Sequence, residues 1–283
     1  MKRSKPIIGE RLGGEPQNER EHFIQCPRSF FLMALSALAF LTLPLFAPSP
    51  AAAQAYFSVS PNGNGSECVS ASPCALQTAI AGCYAQAVNV CDLQLSDGVY
   101  PDPGVNIYYY RNIRLTGNCY APQNVILRAM TPNTTLVWIQ DHAIGVVRCL
   151  TLDTYVGGTF GIAGRQHIIA DWDTIMFRAM PGGAHVALNE FSIGSCLGQN
   201  WVLGGGIAHI TAANSSKANI GCSIYFGPSV GFSYFVDVSR FSIVDAGLAT
   251  FSGAPVGGTI CNAQQYAITT APARGWPGPS NCP

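Results

Sequence analysis

The sequence predicts an all-β fold, a right-handed parallel β-helix with an N-terminal capping α-helix. Short runs rich in Val, Ile, Phe, Tyr and Thr recur with a period of about 24 residues, separated by Gly, Pro, Asn and Asp. A repeat period of roughly 20 to 50 residues indicates a solenoid or a propeller. Two pairs of cysteines fit the same period, since Cys119 and Cys149, like Cys196 and Cys222, are separated by about one coil plus a loop.

Residues 1–55 are interpreted as a leader and a cleavable secretory signal. An apolar run over residues 30–46 follows Arg28 and precedes three consecutive alanines, which is the layout of a signal peptide. Cleavage is expected after Ala53 or Ala55. A membrane anchor is disfavoured because a spanning helix needs about 20 apolar residues, whereas Pro44 interrupts this shorter run. We therefore expect a secreted protein, either periplasmic or extracellular.

The mature chain is expected to hold one β-helix domain over residues 56–256 and a Gly/Ala/Pro-rich capping tail over residues 257–283. From Gln54 onward it carries nine basic and eleven acidic residues, so its formal net charge is −2. Such a balance, without a basic run, offers little attraction for nucleic acid or anionic lipid. We expect no nucleic-acid partner and no stable membrane insertion after signal cleavage. The oligomeric state stays open.

Ten cysteines lie in the mature chain, an even number that indicates disulfides formed in an oxidising compartment. Disulfide-bonded Cα atoms lie about 5.5–6 Å apart, which suits residues on adjacent coils. The connectivity is a hypothesis, since ten cysteines allow several hundred pairings. The predicted pairs are Cys68–Cys74, Cys83–Cys91, Cys119–Cys149, Cys196–Cys222 and Cys261–Cys282. No Cys-x-x-Cys or His-x-x-x-His spacing occurs, so we expect neither a metal site nor another cofactor.

Three rows of apolar residues define the repeat. Like positions within a row are spaced by about one repeat, which predicts a coil of three short strands stacked on the next coil. The rows are Ile162, Val186, Ile210 and Phe235; Ile169 and Ile193; and Ile175, Trp201 and Ile224. Roughly seven coils between Cys91 and Ser252 give a rod of about 34 Å. Frequent glycines disfavour a helical solenoid, and a propeller blade needs about 40–45 residues.

One helix is predicted, over residues 74–86, with Pro73 at its start. Five of its residues fall on one face at helical spacing. They are Ala75, Leu76, Ala79, Ile80 and Cys83. Such a helix can cover the open end of the first coil, whose unpaired strand edge would otherwise favour aggregation.

Three segments near the start of the mature chain resemble the pectin-lyase-like superfamily of right-handed parallel β-helices. They are residues 57–66 (FSVSPNGNGS), 72–80 (SPCALQTAI) and 93–100 (LQLSDGVY). In that superfamily a first strand leads to a Gly/Asn-rich loop, a capping helix and a coil that ends in a Gly-x-Tyr turn. The resemblance implies the fold but no single function, because the superfamily includes polysaccharide lyases, hydrolases, esterases and epimerases, phage tailspikes and surface proteins.

Two carboxylates, an arginine and a histidine are the candidate catalytic residues. If residues 167–173 form one regular strand, alternation puts His167, Asp171 and Asp173 on one face. Arg148 precedes Asp171 by about one repeat, which would place it beside them one coil away. Such a set can cleave a glycosidic bond with one acid as general acid and the other as base or nucleophile. In a lyase the arginine could instead act as the base, while the acids hold a calcium ion.

The alternative is a structural role, in which these charged residues lie at the ends of strands and form ion pairs between neighbouring coils. Asp153 and Arg178, also separated by about one repeat, would form another pair of this kind. The chain contains no run of acids resembling a polygalacturonase site and no Arg or Lys pattern resembling a pectate-lyase site. No catalytic residue is therefore carried over from the superfamily.

Aromatic and histidine side chains offer weaker signals. His185 and His209 share a row, one repeat apart, and we expect them to stack at a coil edge rather than to bind a ligand. A platform for sugar rings is one interpretation of the aromatic residues, and packing in the core or on a coil face is the other. The candidates are Tyr108, Tyr109, Tyr110, Trp138, Trp172 and Trp201.

The sequence favours a secreted or cell-surface β-helix that binds carbohydrate or serves as a rigid structural element, without catalysis. Sparse charge, the absence of a recognisable catalytic set and the many cysteines support this interpretation. The alternative is a polysaccharide lyase or glycoside hydrolase acting on an acidic polysaccharide, with calcium as a cofactor in the lyase case alone. The expected partner is a polysaccharide or a cell-surface glycan.

Overall fold

The computed structural model describes residues 53–86, 88–228, 230–253 and 259–270. The predicted leader and signal lie outside these ranges apart from residues 53–55, and so does the end of the tail from residue 271. The described part contains 23 strands, numbered in chain order, and one α-helix. No helix in these ranges is both long and apolar enough to cross a membrane.

The strands form three sheets. Sheet 1 consists of β1 (Gln54–Val59), β2 (Val90–Leu95), β5 (Asn112–Thr116), β8 (Ile144–Arg148), β11 (Ile169–Asp173), β14 (Ile193–Leu197), β17 (Lys217–Ile220), β20 (Ile243–Asp245) and β23 (Ile268–Thr270). Sheet 2 consists of β3 (Gly98–Pro101), β6 (Val125–Ala129), β9 (Thr151–Thr154), β12 (Met176–Phe177), β15 (Gln199–Val202), β18 (Ser223–Phe226) and β21 (Thr250–Ser252). Sheet 3 consists of β4 (Val105–Ile107), β7 (Thr135–Ile139), β10 (Phe160–Gly164), β13 (Met180–Leu188), β16 (Gly206–Ala212), β19 (Phe232–Val238) and β22 (Thr259–Ala263).

The chain visits the three sheets in rotation, and each strand pairs in parallel with its counterparts in the adjacent coils. Sheets 2 and 3 have seven strands each, so the predicted parallel solenoid of about seven coils is confirmed. Val186 lies opposite Ile162 on one side and Ile210 on the other, as the repeat predicted. Ile169 likewise lies opposite Ile193. The last two strands belong to the predicted tail, so the coils continue beyond residue 256.

One predicted row is wrong by one residue at its last position. Val236, not Phe235, lies opposite Ile210. The coil from Ile210 to Val236 is longer than the coil from Val186 to Ile210. A repeat of constant length therefore ends before Val236, the residue that pairs with Ile210. The longer coil shifts the inward positions of β19 relative to the sequence repeat.

A second row is wrong in its middle member, where a polar side chain takes the inward position. Trp201 lies opposite Met176, so Ile175 is level with Asn200. Asn200 is fully buried, its Oδ1 accepts a hydrogen bond from the Ile175 N–H at 2.9 Å, and its Nδ2 donates to the Leu197 carbonyl at 2.8 Å. An amide can occupy this core position because its polar atoms are satisfied there.

The predicted helix is present but shorter, as α1 (Leu76–Ala85). Four of its five predicted face residues are buried, from Leu76 to Cys83, whereas Ala75 precedes the helix as its N-cap. It packs against β1, where Gly82 lies over the ring of Phe57. Tyr84 reaches the first strand of sheet 3. Its Oη–H donates to the Asn106 carbonyl at 3.1 Å and its oxygen accepts from the Tyr108 N–H at 2.9 Å. The helix thus satisfies backbone groups at the edge strand β4.

Four of the five predicted disulfides are present. They are Cys68–Cys74, Cys83–Cys91, Cys119–Cys149 and Cys196–Cys222. Cys261 is also disulfide-bonded, and its predicted partner Cys282 lies outside the described residues. The last two of the four pairs join neighbouring coils. Disulfides in this number are typical of proteins that mature in an oxidising compartment rather than in the cytoplasm.

The corner between sheet 3 and sheet 1 repeats the same backbone conformation in successive coils. Two consecutive residues have left-handed φ angles, as in Glu190 and Phe191, with φ of 55° and 63°. A hydrogen bond to the next coil supports each corner, as from the Phe191 N–H to the Asn214 carbonyl at 3.0 Å. In three successive coils a buried serine follows the corner (Ser192, Ser216 and Ser242), and the Ser192 N–H donates to the Oγ of Ser216 at 3.2 Å. These bonds offset the cost of non-glycine residues in the left-handed region.

Candidate functional site

The outer face of sheet 1 brings together three of the four predicted catalytic residues. Asp171 and Asp173 lie on β11, where the inward positions are taken by the buried Ala170 and Trp172. Arg148 ends β8 and lies directly opposite Asp173. On the other side, Ser195 of β14 lies opposite Asp171. The two carboxylates and the guanidinium therefore share one surface across two adjacent coils.

The electrostatics of this surface centre on Asp171. Burial raises the pKa of its carboxyl above the ordinary value, while a hydrogen bond with Ser195 and the charge of Arg148 act in the opposite direction. The Nε–H of Arg148 is buried without a hydrogen-bond partner in the described structure. Asp173 accepts a hydrogen bond from the hydroxyl of Thr174 at 2.9 Å. A carboxyl group whose pKa is raised is suited to act as a general acid.

His167 is placed differently from the two acids. Strand β11 begins at Ile169, and His167 precedes it in the corner with a left-handed φ of 60°. Its exposed ring stacks on the rings of His142 and Phe191, with centroids 5.1 Å away on each side. The strand alternation expected over residues 167–173 therefore does not extend to this histidine. Its side chain belongs to an aromatic stack along the corner.

Asp153 pairs with Arg128 of the preceding coil, so the predicted pair with Arg178 is wrong. The Arg128 Nη2 lies 2.7 Å from the Asp153 Oδ2, and the Nε lies 3.0 Å from the same oxygen. The ring of Tyr155 lies 4.4 Å from the guanidinium carbon. Arg178 is exposed. Within the described ranges, no group of three or more His, Cys, Asp or Glu residues is arranged to hold a metal ion.

A second surface lies on the outer face of sheet 3, around Trp138. Asn106, Trp138, Ala163 and Ala187 occupy successive coils, each directly opposite the next. The half-buried indole lines two clefts. One cleft of about 350 Å³ extends toward Asn106, and the other, of about 240 Å³, extends toward Ala187. We call this surface, from Asn106 to Ala187, the Trp138 groove.

Polar groups surround the indole in both clefts. The indole N–H donates to the Gln140 Oε1 at 2.9 Å, and the guanidinium carbon of Arg165 lies 5.5 Å from the indole ring centroid. Asp102 lines the first cleft, while Arg165 and Glu190 line the second. An apolar ring among hydroxyl, amide and charged groups is the composition expected of a site for a small polar ligand.

The other predicted platform residues divide between core and surface. Trp172 is fully buried and is one of the largest core side chains. Trp201 is half-buried on the outer face of sheet 2, between Met176 and Tyr225 of the adjacent strands. Tyr108 stacks on Tyr84 with centroids 4.5 Å apart. Trp138 is therefore the predicted platform residue that lines two adjoining clefts.

An exposed stack of aromatic and imidazole rings runs along the corner between sheets 3 and 1. Tyr110, His142, His167 and Phe191 follow one another at 4.9–5.1 Å between centroids. Because the faces of the inner rings are covered by their neighbours, these rings present their edges outward. A sugar ring stacks on an aromatic face, so the inner part of this stack offers no such platform.

His185 and His209 lie inside the solenoid, so the prediction that they stack at a coil edge is wrong. Both rings are fully buried, and they meet at an angle of 81°.

Sequence reasoning also missed Ala163 and Ala187, whose small side chains follow Trp138 in the next coils. The sequence repeat could have identified them, because it aligns both alanines with the tryptophan.

No family model, curated protein or solved structure matches this chain.

Proposed function

We propose that this chain is an exported, right-handed parallel β-helix protein that binds carbohydrate in the Trp138 groove without transforming it. The signal-like run and the disulfides support export, since thiols pair in oxidising compartments. The N-terminal segments that resemble the pectin-lyase-like superfamily support the handedness and a relationship to that superfamily. A protein outside the cytoplasm encounters glycans as extended polymers that a long, rigid surface can contact.

The observation that carries the proposal is the position of Trp138 between two adjoining clefts with polar walls. An aromatic side chain supplies a large apolar contact at little cost in conformational entropy. Amide and carboxylate groups beside it, such as those of Asn106 and Glu190, can hydrogen-bond sugar hydroxyls. Most binding sites for small polar ligands combine these two elements.

Catalysis on sheet 1 is the second candidate. It is favoured by the raised pKa of Asp171, next to a second carboxylate and to Arg148. A glycoside hydrolase needs one protonated carboxyl and one ionised carboxylate, and a lyase would need calcium held by these acids as well as a base. The raised pKa of Asp171 also follows from burial among neighbouring side chains, which makes it weak support for chemistry.

The test uses the chain exported with its own leader from a host that forms disulfides. The purified protein is applied to a glycan array, and it is incubated with polyuronates and neutral glycans with and without calcium. Binding without turnover is expected. Trp138→Ala should weaken that binding about tenfold or more. Trp201→Ala, which removes a half-buried indole from sheet 2, should leave it unchanged.

Two results would overturn the proposal. Turnover that disappears in the Asp171→Ala, Asp173→Ala double variant would establish catalysis on sheet 1 in place of simple binding. The absence of both binding and turnover would leave a structural role for the solenoid.

A further inference from the structure

The Trp138 groove runs parallel to the solenoid axis. Its outward positions, from Asn106 to Ala187, belong to four successive coils. Parallel strands lie about 4.8 Å apart, so three steps between coils cover about 14 Å. This is about the length of three linked pyranose rings. The clefts lie on opposite sides of Trp138 along this line, so the indole stands at the middle of the groove.

The depth of the second cleft comes from small side chains. Ala163 and Ala187 follow Trp138 in the outward row, and these two methyl groups line the cleft together with the indole. Phe160 and Arg165 form walls beside this floor. The first cleft is bounded by residues 102–104 and by Thr134 and Thr135. Each side of the indole therefore has room for a separate part of one ligand.

Two carboxylates and one guanidinium line the clefts. Asp102 accepts hydrogen bonds from the Met130 and Thr131 N–H groups at 2.7 and 3.0 Å and from the Thr131 hydroxyl at 2.8 Å. These bonds lower the pKa of its carboxyl, with the Met130 bond the largest contribution. A sugar carboxylate in this cleft would meet a like charge without a basic residue in the cleft lining to offset it. Sugar hydroxyls can instead donate hydrogen bonds to it.

We infer that the Trp138 groove binds a neutral oligosaccharide of at least three sugar units, laid along the solenoid axis with its central ring in contact with the Trp138 indole. This inference rests on the proposed carbohydrate-binding function and specifies the ligand of the same site. It differs from the acidic polysaccharide expected under the catalytic alternative. The length requirement follows from the two clefts, and the preference for uncharged sugars follows from Asp102.

Isothermal titration with oligosaccharides of defined length tests the inference. Neutral β-1,4-linked glucose oligomers are compared, from the monosaccharide to the hexasaccharide, with oligogalacturonides of the same lengths. Affinity for the neutral series should rise about tenfold or more up to the trisaccharide and then level off. Oligogalacturonides of three units and more, which must also occupy the first cleft beside Asp102, should bind about tenfold more weakly than neutral oligomers of the same length.

Variants locate the site. Ala187→Trp fills the second cleft and should abolish the gain in affinity from disaccharide to trisaccharide. Thr211→Trp is the matched control, because Thr211 is the next residue in the same outward row, one coil beyond the cleft. It should leave trisaccharide binding unchanged. Asp102→Asn keeps an oxygen to accept the two backbone N–H groups and removes the charge, so it should reduce the preference for neutral oligomers.

The outcomes separate this inference from the proposed function. If no carbohydrate binds, both fail. If glycans bind but affinity does not depend on length, or the oligogalacturonides bind more tightly, the inference fails and the binding function stands. Unchanged trisaccharide affinity in Ala187→Trp would also overturn the inference, because the ligand would then lie elsewhere.

Discussion

The Nδ1 atoms of His185 and His209 lie 2.8 Å apart in the core of the solenoid. The Nε2 of His185 lies 2.9 Å from the Arg178 carbonyl, which can only accept, so this nitrogen carries the proton of the neutral ring. The Nδ1 of His185 must then accept a hydrogen bond from the Nδ1–H of His209. This arrangement leaves the Nε2 of His209 as a buried acceptor without a partner in the described structure.

Acid should destabilise the fold through this pair. Burial lowers the pKa of His185 to about 3 and that of His209 well below its ordinary value. In the unfolded chain both rings take up a proton near pH 6.5. Between that pH and about pH 3 the unfolded state therefore binds more protons, and the free energy of unfolding decreases as the pH falls. His185 alone should account for about 2–3 kcal/mol between pH 7.5 and pH 4.5.

Urea unfolding at these two pH values measures the effect. Carboxylates held by hydrogen bonds also contribute to acid destabilisation, so the histidine part is isolated with the His185→Phe, His209→Phe double variant. Its loss of stability on acidification should be clearly smaller than that of the native chain. His142→Phe replaces an exposed imidazole and serves as the control. An equal pH dependence in the native chain and the double variant would contradict the prediction.

The ion pair between Arg128 and Asp153 should contribute strongly to stability. The Asp153 side chain is 5% exposed and that of Arg128 is 17% exposed, so Arg128→Met would leave a nearly buried carboxylate without its partner. The expected cost is about 3 kcal/mol. Arg178→Met is a matched control, because Arg178 is exposed and belongs to the coil after that of Asp153, whereas Arg128 belongs to the coil before it. Its free energy of unfolding should change by about 0.5 kcal/mol or less. Equal effects of the two substitutions would contradict the assignment.

The sequence period predicted which residues stack, because coils of nearly constant length bring like positions together. Ile169 and Ile193 were aligned correctly for this reason, as were the cysteine pairs of adjacent coils. The period cannot predict with which of two equally spaced residues a side chain forms an ion pair. Arg128 and Arg178 are equally far from Asp153 along the chain, and only the folded geometry shows that Asp153 pairs with the former.

The hydropathy pattern of the sequence could not predict which polar residues lie inside the solenoid. Asn200 and His185 point into the core because local hydrogen bonds satisfy them there, and hydropathy alone assigns such residues to the surface. A one-residue shift also exchanges the inner and outer faces of a strand, which is why the sequence repeat aligns the outward Trp201 with the buried Ile175 and Ile224. For the candidate site, the sequence supplied Trp138 as a candidate. The repeat also aligns Ala163 and Ala187 with it, but the clefts depend on further side chains, such as Phe160 and Arg165, that only the folded structure brings beside this row.

Gly194→Ala should destabilise the fold by overpacking. A Cβ at this inward position would lie 2.6 Å from the Cδ1 of Leu188 and 2.9 Å from the Cζ3 of Trp172. Both side chains are fully buried and have little room to move. The expected loss is about 1–3 kcal/mol in the free energy of unfolding, measured by urea denaturation. Gly157→Ala is the control, because its added Cβ would meet the Pro181 carbonyl oxygen at 3.5 Å, an ordinary contact. The prediction fails if both variants unfold alike.

Ser215→Phe should stabilise the protein by completing the stack of rings along the corner. Ser215 has a φ of 62°, close to the 63° of Phe191 and the 62° of Phe241 in the adjacent coils, so the backbone already suits an aromatic residue. The stack is interrupted at this coil and resumes between Phe241 and Tyr266, whose centroids are 5.4 Å apart.

A phenylalanine at this corner would lie between two rings that are 57% and 65% exposed, Phe191 and Phe241. The gain expected is about 0.5–1.5 kcal/mol in the free energy of unfolding beyond that from apolar burial, again measured by urea denaturation. Ser215→Leu separates the two contributions, because leucine adds apolar surface without a ring to stack. The prediction is contradicted if the leucine variant is as stable as the phenylalanine variant, since ring stacking would then add nothing to burial at this corner.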